Sequence, residues 1–420
     1  MNILLKSVTI SDPSSIHFNS VKDIFIKNGK IVSIEKNLSL KGEKYRVIEG
    51  KGKSISQGWV DLKSDFCDPG NEHRETIQSG LKASAFGGYT HVFTVPSTNP
   101  FVDGKTAIEY ALRKAEGALT QLHPIGSITK TGKGQELSEM FDMHLSGSTL
   151  FSDDLKELST GMLGRALLYN KNTKGTVISF PQNPSLSNKT MVNEGLASIK
   201  TGLKGNPSLS EEVEIQKNIS ILKYTQGTLH LTGVSTQKGV ELIKKAKKEG
   251  LKITASVNLM NLLFTEKEVF NFDSNFKLTP PLRTIKDQKA LMKGLIEGTI
   301  DAIDSDHRPY EEDEKEIDFF SASAGCIQLQ TLYSALNTYH PTKESSFIKA
   351  LSINTRLISQ IKETPLEVGN QIDATLYDPN KEWVFDKNKN LSKSFNSPFL
   401  NKKLKGKVCA VFMGNKALEF

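Results

Sequence analysis

Eight times between residues 58 and 305 the chain passes through a short apolar run rich in β-branched residues, and most of the intervals carry a helical pattern. The runs span residues 58–66, 89–95, 122–128, 148–152, 176–180, 228–234, 252–258 and 299–305. In 75–86, Ile77, Leu81 and Ala85 recur at fourfold spacing, and Gly87-Gly88 ends the pattern. In 238–249, Val240, Leu242, Ile243 and Ala246 share one face before Gly250, and 289–297 stops at Gly298. Repeated strand–helix units imply parallel strands joined by crossover helices. Eight of them predict an α/β fold, a (β/α)8 TIM barrel. An open doubly wound sheet is the alternative, disfavoured because no glycine-rich phosphate loop follows the first strand.

The two ends have a different pattern. Residues 23–34 read as a hairpin with Asn28-Gly29 at the turn. Residues 372–377 read as a strand stopped by Asp378-Pro379-Asn380, and 406–416 as another strand ending in a turn. A small β-sandwich domain composed of both termini is expected, with 1–55 and 366–420 flanking a barrel over 56–365. The first residues, Met1 to Val8, lack a basic region before their apolar run and are expected to form a strand rather than a leader. No apolar run approaches the roughly 18 residues of a bilayer span, so no membrane partner is expected. Three widely separated cysteines, Cys67, Cys326 and Cys409, fit a reducing, cytoplasmic setting. The net charge of +7 comes from scattered lysines. The Lys244-Lys245-Ala246-Lys247-Lys248 run lies on a helical pattern, where it reads as a solvated face rather than a nucleic-acid surface.

Barrel enzymes carry their chemistry at the C-terminal ends of the strands. Here strand one ends in Lys63, Asp65 and Cys67, which alternation places on one side. Strand four ends in Asp153-Asp154, strand five in Phe180-Pro181-Gln182-Asn183, strand six in Gly233, and strand eight in Asp304-Ser305-Asp306-His307. Asp65, Asp153 and Asp306 are expected to converge. With His307 they would suit a hard divalent ion such as magnesium and suit zinc poorly. Lys63 points to another outcome, in which its ammonium takes the place of a metal cation in a buried pair with Asp65, Asp153 or Asp306. The bland readings are that Asp153 or Asp154, and Asp306, cap the segments that follow them, and that Cys67 is a small buried filler.

These motifs resemble dihydroorotase of the amidohydrolase superfamily, the long type found alone or beside aspartate carbamoyltransferase. Over nearly the whole chain the similarity is carried by Gly58-Trp59-Val60-Asp61-Leu62, Asp68-Pro69-Gly70, Gly87-Gly88-Tyr89-Thr90, Pro96-Ser97-Thr98-Asn99-Pro100, Phe151-Ser152-Asp153-Asp154, Pro280-Pro281-Leu282-Arg283 and Asp304-Ser305-Asp306-His307-Arg308-Pro309. The resemblance implies a metal-dependent hydrolase barrel with one or two zincs. Their ligands are a His-x-His on strand one, an acidic residue or carboxylated lysine on strand four, histidines on strands five and six, and an aspartate on strand eight. In this chain those places hold Lys63 and Asp65, Asp153, Phe180, Gly233 and Asp306, so only Asp153 and Asp306 match. The family's substrate-binding positions hold Cys67, Ser97 and Thr279, so no substrate contact is retained. Asp306 remains as the vestige of the catalytic aspartate, and no metal or other cofactor is expected. The resulting expectation is a non-catalytic, homo-oligomeric partner of aspartate carbamoyltransferase or of an active dihydroorotase in pyrimidine biosynthesis. The alternative is an active dihydroorotase or related cyclic amidohydrolase whose site is rebuilt from Asp65, Asp153, Asp306 and Lys63.

Overall fold

The chain opens in a sheet that its own C-terminal end completes. In the computed structural model, which describes residues 1–40, 42 and 44–420, β1 (Asn2–Ile10) pairs antiparallel with β2 (Val21–Lys27) and β2 with β3 (Lys30–Glu35). Asn28 and Gly29 make the β2–β3 turn with φ of 51° and 76°, the left-handed values that select this dipeptide. β1 also pairs in parallel with β4 (Arg46–Glu49) and β5 (Ser54–Gln57).

The eight apolar runs then form β6 (Trp59–Ser64), β7 (Tyr89–Thr94), β8 (Gln121–Pro124), β9 (Leu150–Phe151), β10 (Thr176–Ser179), β11 (Leu229–Leu231), β12 (Ile253–Asn258) and β13 (Ala302–Asp304). Neighbours are joined by parallel ladders from β6 to β8 and from β9 to β13. Single parallel bridges, Gly126 to Phe151 and Ser64 to His307, close the two remaining seams. The result is a closed parallel barrel. Val60, Leu62, Phe93, Leu150, Ile178 and Ala302, from five of its strands, and Ile125, just after β8, join one buried apolar cluster.

Helices cover the barrel between strands: α1 (Ile77–Phe86), α2 (Lys105–Lys114), α3 (Met140–Leu145), α4 (Thr160–Tyr169), α5 (Leu209–Thr225), α6 (Gln237–Lys248) and α7 (Ile285–Ile296). Their starts follow the capping chemistry of the sequence. Thr76, Thr236 and Thr284 are N-caps whose hydroxyls accept backbone N–H groups of the first turn. The cap at Thr284, reinforced by Asp287, starts α7 four residues before the predicted 289.

β14 (Asp373–Phe385) returns to the first sheet, pairing antiparallel with β5 and with β15 (Lys402–Met413), and β16 (Lys416–Glu419) ends it. One eight-stranded sheet therefore draws on both ends of the chain around a core of Leu5, Val8, Ile24, Ile26, Ile55, Leu376 and Phe412. The expected stop at Asp378-Pro379-Asn380 is an irregularity inside β14. The ladder breaks between Asp378 and Glu382 and then resumes against Lys405. A proline without an N–H donor is tolerated because it falls in that break. Among the described residues, no helix is long and apolar enough to cross a membrane.

Candidate functional site

At the C-terminal mouth of the barrel the ends of β6 and β13 run side by side, with Asp65 N donating to His307 O at 2.8 Å. This brings Lys63 beside Asp306. The Lys63 ammonium lies 3.1 Å from Asp306 Oδ1 and 5.5 Å from the centre of the Phe180 ring. Arg308, two residues beyond Asp306, folds back over the same mouth. Its Nε donates to Asp306 Oδ1 at 2.9 Å, while Nη1 and Nη2 donate to the two oxygens of Asp154 at 3.0 and 2.5 Å. Asn258, at the end of β12, donates to Asp306 Oδ2 at 2.9 Å. Ser97, after β7, donates to Asp154 Oδ2 at 2.6 Å. Asp65 accepts from Cys67 N at 2.8 Å.

Lys63, Asp154, Asn258, Asp306 and Arg308 are buried and Asp65 half-buried, and the electrostatics follow from that. Burial pushes the Asp65 carboxyl up, against the pull of Arg308. Burial would raise Asp154 as well, but Arg308, with Lys63 and the Ser97 hydroxyl, outweighs it and leaves the carboxyl below its ordinary range. For Arg308 burial acts downward, and Asp154 and Asp306 together overcome it, so the guanidinium is held charged. One layer deeper are two more carboxyls. Asp61 accepts from the backbone N and hydroxyl of Ser305, both at 2.8 Å, and Asp304 accepts from Thr232 Oγ1 at 3.0 Å and from Ser256 Oγ. Burial raises Asp61 to about 7, with Asp304 adding to the effect. Burial raises Asp304 to about 6, opposed by Ser256 and Lys63.

The structure sorts the residues singled out from sequence. Lys63, Asp65 and Asp306 meet at the mouth. Asp153 does not join them. Its Oδ1 accepts from Ser127 Oγ and from the backbone N of Ile128 and Thr129 at 2.8–2.9 Å, with Thr129 Oγ1 on its other oxygen, so it ties down the loop after β8. The carboxylate that β9 sends to the mouth is its neighbour Asp154, whose φ of 57° turns the chain there. Cys67 also departs from simple alternation, with φ of 57°, and its buried thiol is pushed well above the ordinary range. It is therefore a filler rather than a nucleophile. Gly233 has φ of 68°, and a Cβ placed on it would already touch Phe180 and Pro280 at 3.4 Å; the Phe180 ring fills the space a longer side chain there would need. Phe180 and Thr279 line a cavity of about 340 Å³ with Gln182 and Asn206, and Lys63 is not among its walls.

Arg308 and Asn258 were given no role from the sequence, and Asp154 was read there only as a candidate cap. The signal for Arg308 was present in the alternation of Asp304, Asp306 and Arg308 at the end of one strand, where apolar residues would be cheaper. His307 has a supporting role. Its Nδ1 accepts from Gln328 N at 3.1 Å, so Nε2 carries the proton and faces buried Glu75 at 3.4 Å.

Comparison with known proteins gives this site its setting. The family model described as Dihydro-orotase-like matches residues 52–239. A protein of Thermoanaerobacter sp. (strain X514) named dihydroorotase is 38% identical, covering 99% of this chain and 96% of its own. Another of that name from Aquifex aeolicus is 35% identical, covering 97% of each. The chain belongs to the dihydroorotase family. Among solved structures, L-hydantoinase from Arthrobacter aurescens superposes with a TM-score of 0.87 at 20% identity, over 100% of this chain and 96% of that one. A D-hydantoinase gives 0.84 at 21% identity, over 100% and 95%. These share the fold, an amidohydrolase (β/α)8 barrel with a β-sandwich.

The zinc that the family implies does not fit the residues of this mouth. An ammonium and a carboxylate stand where the paired histidines would be, and Phe180 and Gly233 offer no donor atom. Both oxygens of Asp154 and one of Asp306 are already engaged by Arg308. Among the described residues no three His, Cys, Asp or Glu side chains are grouped to hold a metal ion.

Proposed function

We propose that this dihydroorotase-family chain performs no cyclic-amide hydrolysis of its own and serves pyrimidine biosynthesis as a structural or regulatory subunit, held against aspartate carbamoyltransferase or an active dihydroorotase. The observation that carries this reading is the state of Asp306. The family resemblance assigns the proton shuttle to this aspartate. Here it pairs with Lys63 and Arg308 on one oxygen and accepts from Asn258 on the other. Asp306 thus presents no unengaged oxygen to a substrate proton. The positions that would clamp a substrate carboxylate hold Cys67, Ser97 and Thr279, none of which supplies a cation.

The test has two arms. Purified protein is assayed for interconversion of dihydroorotate and carbamoyl aspartate, with and without added zinc, manganese or magnesium. Separately, it is mixed with aspartate carbamoyltransferase and with dihydroorotase from the same organism and examined by light scattering. No turnover in any metal, with a stable complex in one mixture, is the expected result. Turnover at an ordinary enzymatic rate overturns the reading. It would favour the second one, an active amidohydrolase with a rebuilt site, which has whole-length similarity to proteins named dihydroorotase in its favour.

A further inference from the structure

Beside the mouth, the segments that follow β9, β10 and β12 border the cavity of about 340 Å³ lined by Phe180 and Thr279. Loops at this end of a (β/α)8 barrel are where such a fold holds ligands. Lys63, Asp65, Asp154, Asp306 and Arg308 do not line this space. The Phe180 ring, with the Lys63 ammonium over it, stands between the cavity and the charged mouth.

One wall carries a hydrogen-bond donor that no other group uses. Gln182 lines the cavity and is only 6% exposed. The sense of its amide is relayed from Arg283, whose Nη2 donates to Asn206 Oδ1 at 3.0 Å. A guanidinium has no acceptor, so Asn206 must turn Nδ2 the other way, where it donates to Gln182 Oε1 at 2.9 Å and to Thr190 Oγ1 at 2.9 Å. With its oxygen held by Asn206, Gln182 keeps Nε2 on the opposite side of the amide, and that nitrogen has no partner among the described residues. A buried N–H without a partner is costly, and one fixed in this way is preorganised for an acceptor that a ligand brings.

The remaining walls define what carries that acceptor. Leu155, Phe180, Met191, Leu278 and Pro281 make them largely apolar. The two charged residues at the edge are engaged elsewhere. Lys156 donates to Gly132 O at 3.0 Å beside the Phe101 ring, and Glu157 pairs with Lys217. A charged ligand would lose its hydration here with no free counter-charge to replace it. The volume is at the small end of ligand pockets.

We propose that this cavity binds an uncharged small molecule with an apolar, ring-sized body and a carbonyl oxygen that accepts from Gln182 Nε2. The site holds whether or not the chain turns over a substrate or joins a partner. Acetophenone is the probe, with benzoate and benzylamine as charged counterparts of similar size, each titrated into the whole chain by saturation-transfer NMR. Acetophenone should bind with a dissociation constant on the order of 1 mM, as its size allows, and both ions about tenfold more weakly or less. Gln182→Met removes the donor and should weaken acetophenone about tenfold. Gln182→Glu keeps the acceptor for Asn206 and exchanges the donor for a carboxylate. At about pH 8 this variant should prefer benzylamine to acetophenone, a reversal that a merely structural glutamine would not produce. Ser187→Phe, at the half-buried rim, should block acetophenone, and it decides the question if the Gln182 variants do not fold. Wild-type binding of acetophenone no tighter than benzoate, an affinity unchanged in Gln182→Met, or binding that survives Ser187→Phe would each overturn the proposal.

Discussion

Asp61 and Asp304 set the pH behaviour of the barrel interior. Their carboxyls rise from 3.8 to about 7 and about 6, chiefly through burial. A carboxyl with a raised folded value binds its proton more tightly in the folded chain than in the unfolded one. Between about 4 and 7 the folded state therefore holds more protons, and the contribution of Asp61 to stability falls as pH rises through that window. Asp61→Asn removes this term. The stability difference, wild type minus variant, should decline steadily from pH 4 to pH 7 in urea titrations; a flat difference would show that Asp61 titrates normally. Arg308 acts in the opposite sense, because its loss strands Asp154 and Asp306 without their bridging cation. Arg308→Ala should destabilise by about 3–5 kcal/mol, measured as the shift in urea midpoint at unchanged slope. Part of this was legible in the sequence. Lys63 and Asp306 stand out because charged residues are rarely placed at the end of an otherwise apolar barrel strand. Which of Asp153 and Asp154 reaches the mouth was not legible. Adjacent aspartates are sorted by a left-handed turn at Asp154 and by the N–H groups of a loop some 25 residues upstream, and neither is visible in local spacing.

Single elements were the most readable scale. The turn between α1 and β7 shows why. Gly87-Gly88 closes the helical pattern in sequence, and in the structure Gly88 has φ of 96° with a Cβ position 2.5 Å from the Trp59 ring. Two constraints coincide there, the left-handed backbone and the contact of the turn with the first barrel strand. Gly88→Ala should therefore cost about 1–3 kcal/mol from overpacking, in addition to the backbone penalty. It should appear in thermal unfolding as a clear loss of melting temperature, whereas Gly250→Ala, with φ of 80° but no neighbour within 4 Å, should cost less. Strand lengths were less readable. The apolar run at 299–305 yields only Ala302–Asp304 as strand, because the polar residues after it turn to serve the mouth. β14 continues past a proline that local propensity treats as a stop, because its ladder with β15 resumes beyond the break.

At the scale of the molecule, the barrel and the terminal sheet are joined by a buried charge cluster whose members lie hundreds of residues apart. Asp373, the first residue of β14, accepts from Arg356 Nη2 at 2.8 Å and lies 3.0 Å from His91 Nε2 on β7, while His91 Nδ1 is 2.9 Å from His123 on β8. Burial acts to raise Asp373, but Arg356 and His91 outweigh it and hold its carboxyl at about 2. Arg356 also donates to Gly58 O at 2.8 Å, at the joint between β5 and β6. That both ends build one sheet could be inferred from matching hairpin patterns. This joint could not, since an isolated Arg, His or Asp in sequence carries no mark of a distant partner. Because the cluster couples the two parts, Arg356→Met leaves Asp373 short of a counter-charge and weakens the joint more than either core. Hydrogen exchange followed by mass spectrometry should show wild-type β5, β14 and β15 exchanging together with the barrel strands. In Arg356→Met the terminal sheet should open first, with barrel protection retained. Simultaneous loss of protection in both parts would mean that the sheet is fastened instead through the aromatic packing of Trp59, Tyr333 and Tyr377, whose ring centres lie within 4.9–5.5 Å across the same joint.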